Sequence, residues 1–160
     1  MHIVSSRPIV VLALLAALGA ACASGERRPE TDTILILHTN DLHSHLEPDH
    51  DGVGGLARIA GYVDRQRARR PDVLYLDAGD GVAGTPVSSM FEGRPVFAVM
   101  NAMGVDAMAL GNHEFDHGWE LVADYRRLAA FPILSANVTG PDGKLLADLA
   151  WKRFEVDRLR

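Results

Sequence analysis

The chain has one cysteine, Cys22, among its 160 residues. No disulfide can form within it, so a folded domain must be held by its apolar core, with metal as the other available staple. Positive charge is not in excess either. Sixteen Lys and Arg against 21 Asp and Glu leave a formal charge of −5, which removes the electrostatic reason to expect a nucleic-acid partner, and none is expected. No run is long enough to cross a bilayer as a helix: Ile9 to Leu18 is almost purely aliphatic but spans only ten residues, where about 20 are needed. Repeats and low-complexity tracts are missing. The glycine-rich Asp51-Gly52-Val53-Gly54-Gly55 is not followed by a P-loop lysine or a dinucleotide fingerprint, so it reads as a turn.

What is present begins with the amino terminus. A lone cation, Arg7, then the short aliphatic run, then small residues through Ala23 make residues 1–23 an export signal, with a periplasmic or cell-envelope location as the consequence. Leu18-Gly19-Ala20-Ala21-Cys22 resembles a lipobox, with the leucine one place further from the cysteine than usual. Two fates follow: Cys22 is lipidated and tethers the protein to a membrane, or cleavage falls after Ala23. Residues 24–32, polar and charged, read as a tether, and one domain is expected from residue 33 to residue 160.

That domain alternates strands and helices. Ile34 to Leu37 and Val73 to Leu76 are continuous apolar runs suited to strands buried on both faces, and Ala107 to Leu110 is a third. Leu56, Ile59, Ala60 and Val63 recur at helical spacing, and so do Val96, Phe97, Val99 and Met100, with Met90 or Phe91 joining the same buried side across a break at Gly93 and Pro95. Trp119 to Ala130 reads as one more helix, Ile133 to Asn137 as a fourth strand, and Trp151 to Arg160 alternates as a strand would. The fold class is therefore α/β, with a largely parallel sheet flanked by helices and left incomplete. Arg65, Arg67, Arg69 and Arg70 close the first helix, where cations complement the dipole and stay solvated.

The polar residues gather where the strands end, which is where open α/β sheets bind ligands. Asp41-Leu42-His43 follows the first strand. In an extended segment its alternate side chains point the same way, and a carboxylate beside an imidazole suits a divalent transition metal. Asp80 follows the second strand after Gly79, with Asp77 as a turn acceptor. Gly111-Asn112-His113-Glu114-Phe115-Asp116 follows the third. Within it Glu114 and Phe115 are expected to do structural work, Asn112 has a turn role as its alternative, and Asp116 has that of amino-terminal cap to the next helix. His38, His45, His50 and His117 are expected to be hydrogen-bonded or exposed, with His45 and His117 nearest to a substrate.

Three segments together, Ile34 to Leu46, Gly79-Asp80 with Gly84-Thr85-Pro86, and Asp106 to Asp116, resemble the calcineurin-like metallophosphoesterases and, within them, the bacterial 5'-nucleotidase family. The resemblance implies a metal-dependent hydrolase releasing phosphate from nucleotides or related phosphoesters. Asp41 and His43 would ligate one of two divalent ions (Zn, Mn, Co or Mg), Asp80 would bridge both, Asn112 would bind the second, and His113 with Asp116 would form a catalytic dyad. Two such ions about 3.5–4 Å apart clamp the attacking and leaving oxygens of an in-line displacement. The sequence departs from the family in having Val105 where an aromatic is common. It also lacks the family's later Gly-His-x-His segment and nucleoside-gripping domain. It is therefore read as the truncated amino-terminal part of a catalytic domain, probed alone a weak metal binder and a poor hydrolase. The rival readings are a thiosulfohydrolase of the same superfamily and a non-catalytic, metal-binding envelope lipoprotein.

Overall fold

The computed structural model describes residues 33–155. The expected export signal, the tether and the last five residues lie outside them. Four strands, β1 (Leu35–Thr39), β2 (Val73–Asp77), β3 (Ala107–Ala109) and β4 (Ile133–Leu134), lie side by side in chain order, each parallel to the next. Helix α1 (Leu56–Arg69) connects the first pair, α2 (Pro86–Phe91) and α3 (Arg94–Met103) the second, and α4 (Val122–Leu128) the third. This is the parallel α/β arrangement that the alternation of patterns implies. Among the described residues no helix is long and apolar enough to cross a membrane.

A sheet that follows chain order, joined by crossovers of one hand, receives its helices on one face. Burial identifies that face. Tyr75, Met108 and Ile133 from the sheet meet Leu56 and Val63 of α1, Val96, Phe97, Met100 and Met103 of α3, and Tyr125 of α4 in a single apolar cluster. Val105, the departure from the family pattern, packs into the same cluster. Phe97 and Tyr125 stack with centroids 4.7 Å apart and rings 17° from parallel.

The opposite face corrects the expectation of two-sided burial. β1 alternates between half-buried and exposed residues, and Ile36 is 56% exposed, because β1 lies at an edge of a sheet that the helices cover from one side. Over this second face runs a cavity of about 560 Å³ floored by Leu76, Ala107, Ala109 and Leu134 and walled by Trp151 and Phe154. Residues 151–155 form no strand, contrary to the alternation read there; they lie along the cavity instead.

Three smaller corrections have local causes. α2 lasts six residues and ends where Glu92 (φ 51°) and Gly93 (φ 74°) both turn left-handed. Two such residues break the helical phase, so the buried side read from Val96 and Phe97 does not carry back, and Met90 and Phe91 are exposed. The helix expected over Trp119 to Ala130 opens as a 3₁₀ turn, Trp119–Leu121, a frequent form of a helix start, before α4 begins. The fourth strand stops at Leu134.

Of the arginines that close α1, Arg65 and Arg69 are exposed as expected, whereas Arg67 and Arg70 are paired. Arg67 donates to Gly104 O at 2.8 Å and to Asp106 Oδ2 at 2.9 Å, and the same carboxylate oxygen accepts from the Tyr75 amide at 2.8 Å. The carboxyl end of α1 thus lies against the turn that feeds β3, and one ion pair links helix, turn and central strand. Arg70 is paired with Asp72.

Candidate metal centre

Strands β1, β2 and β3 each release a polar segment at their carboxyl ends, and the segment after β2, residues 79–82, lies between the other two. Its carbonyls serve the segment after β1: the amides of Asp41, His43 and Ser44 donate to Gly79 O (3.0 Å), Asp80 O (3.0 Å) and Gly81 O (2.8 Å). Its amides point the other way, onto Glu114. That carboxylate accepts from Asp80 (3.0 Å), Gly81 (2.9 Å) and Val82 (3.3 Å), and a fourth amide, Gly111, donates at 2.7 Å. Glu114 is 0% exposed. Burial raises its carboxyl above the usual range, and the four amides offset only part of that rise.

This packing explains Gly79. Its φ is 101°, and a Cβ there would stand 2.6 Å from the Gly111 nitrogen, so a side chain would push the ends of β2 and β3 apart.

Asp41 (φ 53°), His43 (φ 43°), Ser44 (φ 55°) and Asp80 (φ 58°) all hold left-handed backbone, a conformation that costs L residues about 1–2 kcal/mol each. The Asp-Leu-His triplet is consequently not the extended segment predicted. It is a tight turn, imposed by the three bonds to residues 79–81, and it still brings Asp41 Oδ1 to 3.8 Å from His43 Nε2.

His43, Asp80 and His113 offer one donor atom each, all within 4.8 Å of one another. The two imidazole rings meet edge-on, 4.8 Å apart at 67°. His43 Nε2 is buried and has no hydrogen-bond partner. An unpaired buried polar atom costs about 1–3 kcal/mol, and folded proteins rarely leave one. The imidazole that carries this nitrogen stands with a carboxylate and a second imidazole in a donor set suited to a divalent transition metal. Asp80 Oδ1 accepts from the His113 amide at 2.8 Å, which ties the two residues together through the backbone.

His113 Nδ1 lies 2.8 Å from Asp116 Oδ2. Chiefly through that hydrogen bond, the Asp116 carboxylate raises the imidazole above its ordinary value. Asp116 therefore does not act as a helix cap; α4 starts after Leu121 with no side-chain cap. Asn112 stands exposed at the head of the 3₁₀ turn His113–Phe115, which its side chain does not cap. Of the four residues predicted as ligands, the three-residue cluster contains His43 and Asp80. Asp41 flanks it through His43, and His113, predicted for the dyad, falls inside it. Asp77 is a turn acceptor, as read from the sequence, taking the Gly79 amide at 2.9 Å and the Thr39 hydroxyl at 2.6 Å. His45 lines a recess of about 230 Å³ beside the site, together with Ser44 and Thr85.

With that geometry in place, the comparison with known proteins is decisive. Residues 34–149 match the calcineurin-like phosphoesterase model. The chain belongs to this family. Calcineurin-like phosphoesterases employ divalent metals, and the orphaned His43 nitrogen beside Asp80 and His113 fits that chemistry. This phosphoesterase is 47% identical over 116 residues to the 5'-nucleotidase of Mus musculus, which covers 66% of this chain and 20% of the relative. It is 38% identical over 142 residues to a probable 5'-nucleotidase of Treponema pallidum, covering 82% of this chain and 24% of the relative. Among solved structures, the NAD nucleotidase of Haemophilus influenzae superposes with a TM-score of 0.68 at 33% identity, over 78% of this chain and 24% of that one. The chain thus spans about a quarter or less of the length of these relatives. A sulfate thiohydrolase from Thermus thermophilus, 18% identical with a TM-score of 0.61, shares the fold alone, over 82% of this chain and 34% of its own.

Proposed function

We propose that this phosphoesterase is a 5'-nucleotidase-type hydrolase that releases phosphate from nucleotides outside the cytoplasm. In this reading Asp41 and His43 would hold one divalent ion, Asp80 would be shared between two, and Asn112 would serve the second. The observation that carries it is the cluster of His43, Asp80 and His113, in which the Nε2 of His43 is buried without a hydrogen-bond partner, in a chain with nucleotidase relatives. Divalent ions bound there (Zn, Mn, Co or Mg) would supply Lewis-acid charge to the phosphoryl oxygens and lower the pKa of water.

The remaining steps belong to the chain's own residues. Water attacks phosphorus in line, and the bond from phosphorus to the nucleoside 5'-oxygen breaks. His113 stabilises charge on the phosphoryl group or the departing oxygen as a hydrogen-bond donor. Asp116, on Nδ1, fixes the ring orientation and leaves Nε2 for substrate. Phosphate and a nucleoside are the products.

Four protein ligands are few for two ions, which take about four to six donors each. The 160-residue chain is therefore expected to bind metal weakly and turn over slowly or not at all. The test is a chimera in which residues 33–149 replace the matching segment of the Thermus thermophilus 5'-nucleotidase, to which this chain is 42% identical. Phosphate release from AMP, lost in Asp80→Ala, supports the reading. Cleavage of a thiosulfonate carrier with AMP untouched would favour the thiosulfohydrolase reading, and metal binding without turnover of either would favour a non-catalytic module. Export by residues 1–23 is part of the proposal, with Cys22 either lipidated or removed by cleavage after Ala23. The two fates are separated by membrane fractionation of wild type against Cys22→Ser.

A further inference from the structure

The mechanism above gives no part to the most deeply buried charged side chain among the described residues. Glu114 sits beneath the candidate metal centre, 0% exposed, and its two oxygens divide four amides evenly. Oε1 accepts from Gly81 and Val82, and Oε2 from Asp80 and Gly111. Three of those amides belong to the segment after β2 and one to the segment after β3. The carboxylate is thus a joint between two strand ends that share no ladder at that height. Asp80 is held left-handed between this joint and the His43 amide, which donates to its carbonyl. In that pose Asp80 Oδ1 accepts from the amide of His113, the residue next to Glu114.

We propose that Glu114 is the positioning residue of the metal centre. By binding the amides of residues 80–82 and 111 at once, it aims the Asp80 carboxylate at His43 and His113 and sets the affinity of the site for divalent cations. The inference rests on the metal-site reading above and adds to it the source of the site's geometry. A neutral amide cannot replace this carboxylate, because whichever oxygen became NH₂ would face two N–H donors. Aspartate keeps both oxygens but is one methylene shorter, so it reaches one pair of amides and not both.

The test uses the 160-residue chain and Co²⁺, whose visible d–d absorption reports inner-sphere imidazole and carboxylate ligands. The wild type, Glu114→Gln, Glu114→Asp and the distant core variant Val63→Ala are titrated with Co²⁺ alone. Each is also unfolded with urea in the absence of metal. Residues that orient metal ligands typically change affinity 10–100-fold. The expected result is a loss of that size in Glu114→Gln with an altered d–d spectrum, a smaller loss in Glu114→Asp, and no change in Val63→Ala even though its stability falls. Wild-type affinity in folded Glu114→Gln, or an equal loss in Val63→Ala, would overturn the proposal. If Glu114→Gln does not fold, Glu114→Asp decides by the same criteria. Because the chain is expected to bind weakly, the titrations run to millimolar Co²⁺, and absence of any d–d band from the wild type even there would instead bring down the metal-site reading, with the proposal resting on it.

Discussion

The floor of this molecule and its rim are built on opposite terms. Below the strand ends, Phe97, Met100, Val96 and Tyr125 are fully buried among apolar neighbours on regular elements. Above them, within a few residues, Asp41, His43, Ser44, Asp80 and Ala83 all hold left-handed backbone without being glycine. A carboxylate is buried, and one imidazole nitrogen has no partner. Strain of this kind persists only where the surroundings over-determine it, and it clusters at ligand sites. The difference teaches that the rim is held in place by the floor and by Glu114, and that its residues present polar groups at a cost in local stability.

The strongest way to break that division is to cut into the floor. Phe97→Ala removes a fully buried ring that stacks on Tyr125, and such truncations cost about 3–5 kcal/mol. Chemical denaturation of the metal-free chain should show a loss of that size, enough to threaten a domain whose total stability is about 5–15 kcal/mol. A loss below about 1 kcal/mol would mean that the floor is not the source of stability.

A second measurement sharpens the same division through pH. Burial, above all, pushes the Tyr125 phenol up to about 12, and its hydroxyl donates to Glu92 O at 2.8 Å. The folded state binds this proton more tightly than the unfolded state does, so the contribution is complete below about pH 10 and is lost as pH rises toward about 12. At about 1.4 kcal/mol per unit, the loss approaches 2–3 kcal/mol. Denaturation midpoints between pH 9 and 12 should fall in the wild type and stay flatter in Tyr125→Phe. Identical slopes in the two proteins would remove Tyr125 from the account.

How much of this was legible in the sequence divides along the same line. The floor was readable, because apolar runs and helical spacing are local signals: Val63, Val96, Phe97 and Met100 fell where their periods put them. What periodicity could not supply was the number of sides covered. The run Ile34 to Leu37 looked two-sided, and only the consecutive strand order, with helices on one face, leaves Ile36 in the open. At the rim the residue types were legible and their conformations were not. Asp41-Leu42-His43 reads as extended by itself; Asp41 and His43 are left-handed because their amides find carbonyls far along the chain, at Gly79 and Asp80. Glu114 was read as structural from its place in the motif. Its four amide partners come from two segments, three of them more than thirty residues distant, and no local pattern encodes that.

The smallest expected effect is the most diagnostic, because its sign is unusual. Asp41 is left-handed, and its side chain is largely exposed, with Asn40 as its hydrogen-bond partner and His43 3.8 Å away. Glycine adopts that backbone without the penalty an L side chain incurs, while its own freedom in the unfolded chain offsets part of the gain. Asp41→Gly should therefore leave the metal-free chain as stable as before, or raise its stability by up to about 1 kcal/mol, while weakening Co²⁺ binding, because a carboxylate has left the site. A residue that helped hold the fold would behave in the reverse manner, with lower stability and unchanged affinity. Urea denaturation paired with a Co²⁺ titration separates the two. A clear loss of stability in Asp41→Gly would mean that the rim contributes to the fold it stands on, and the contrast between rim and floor would fail at the residue chosen to test it.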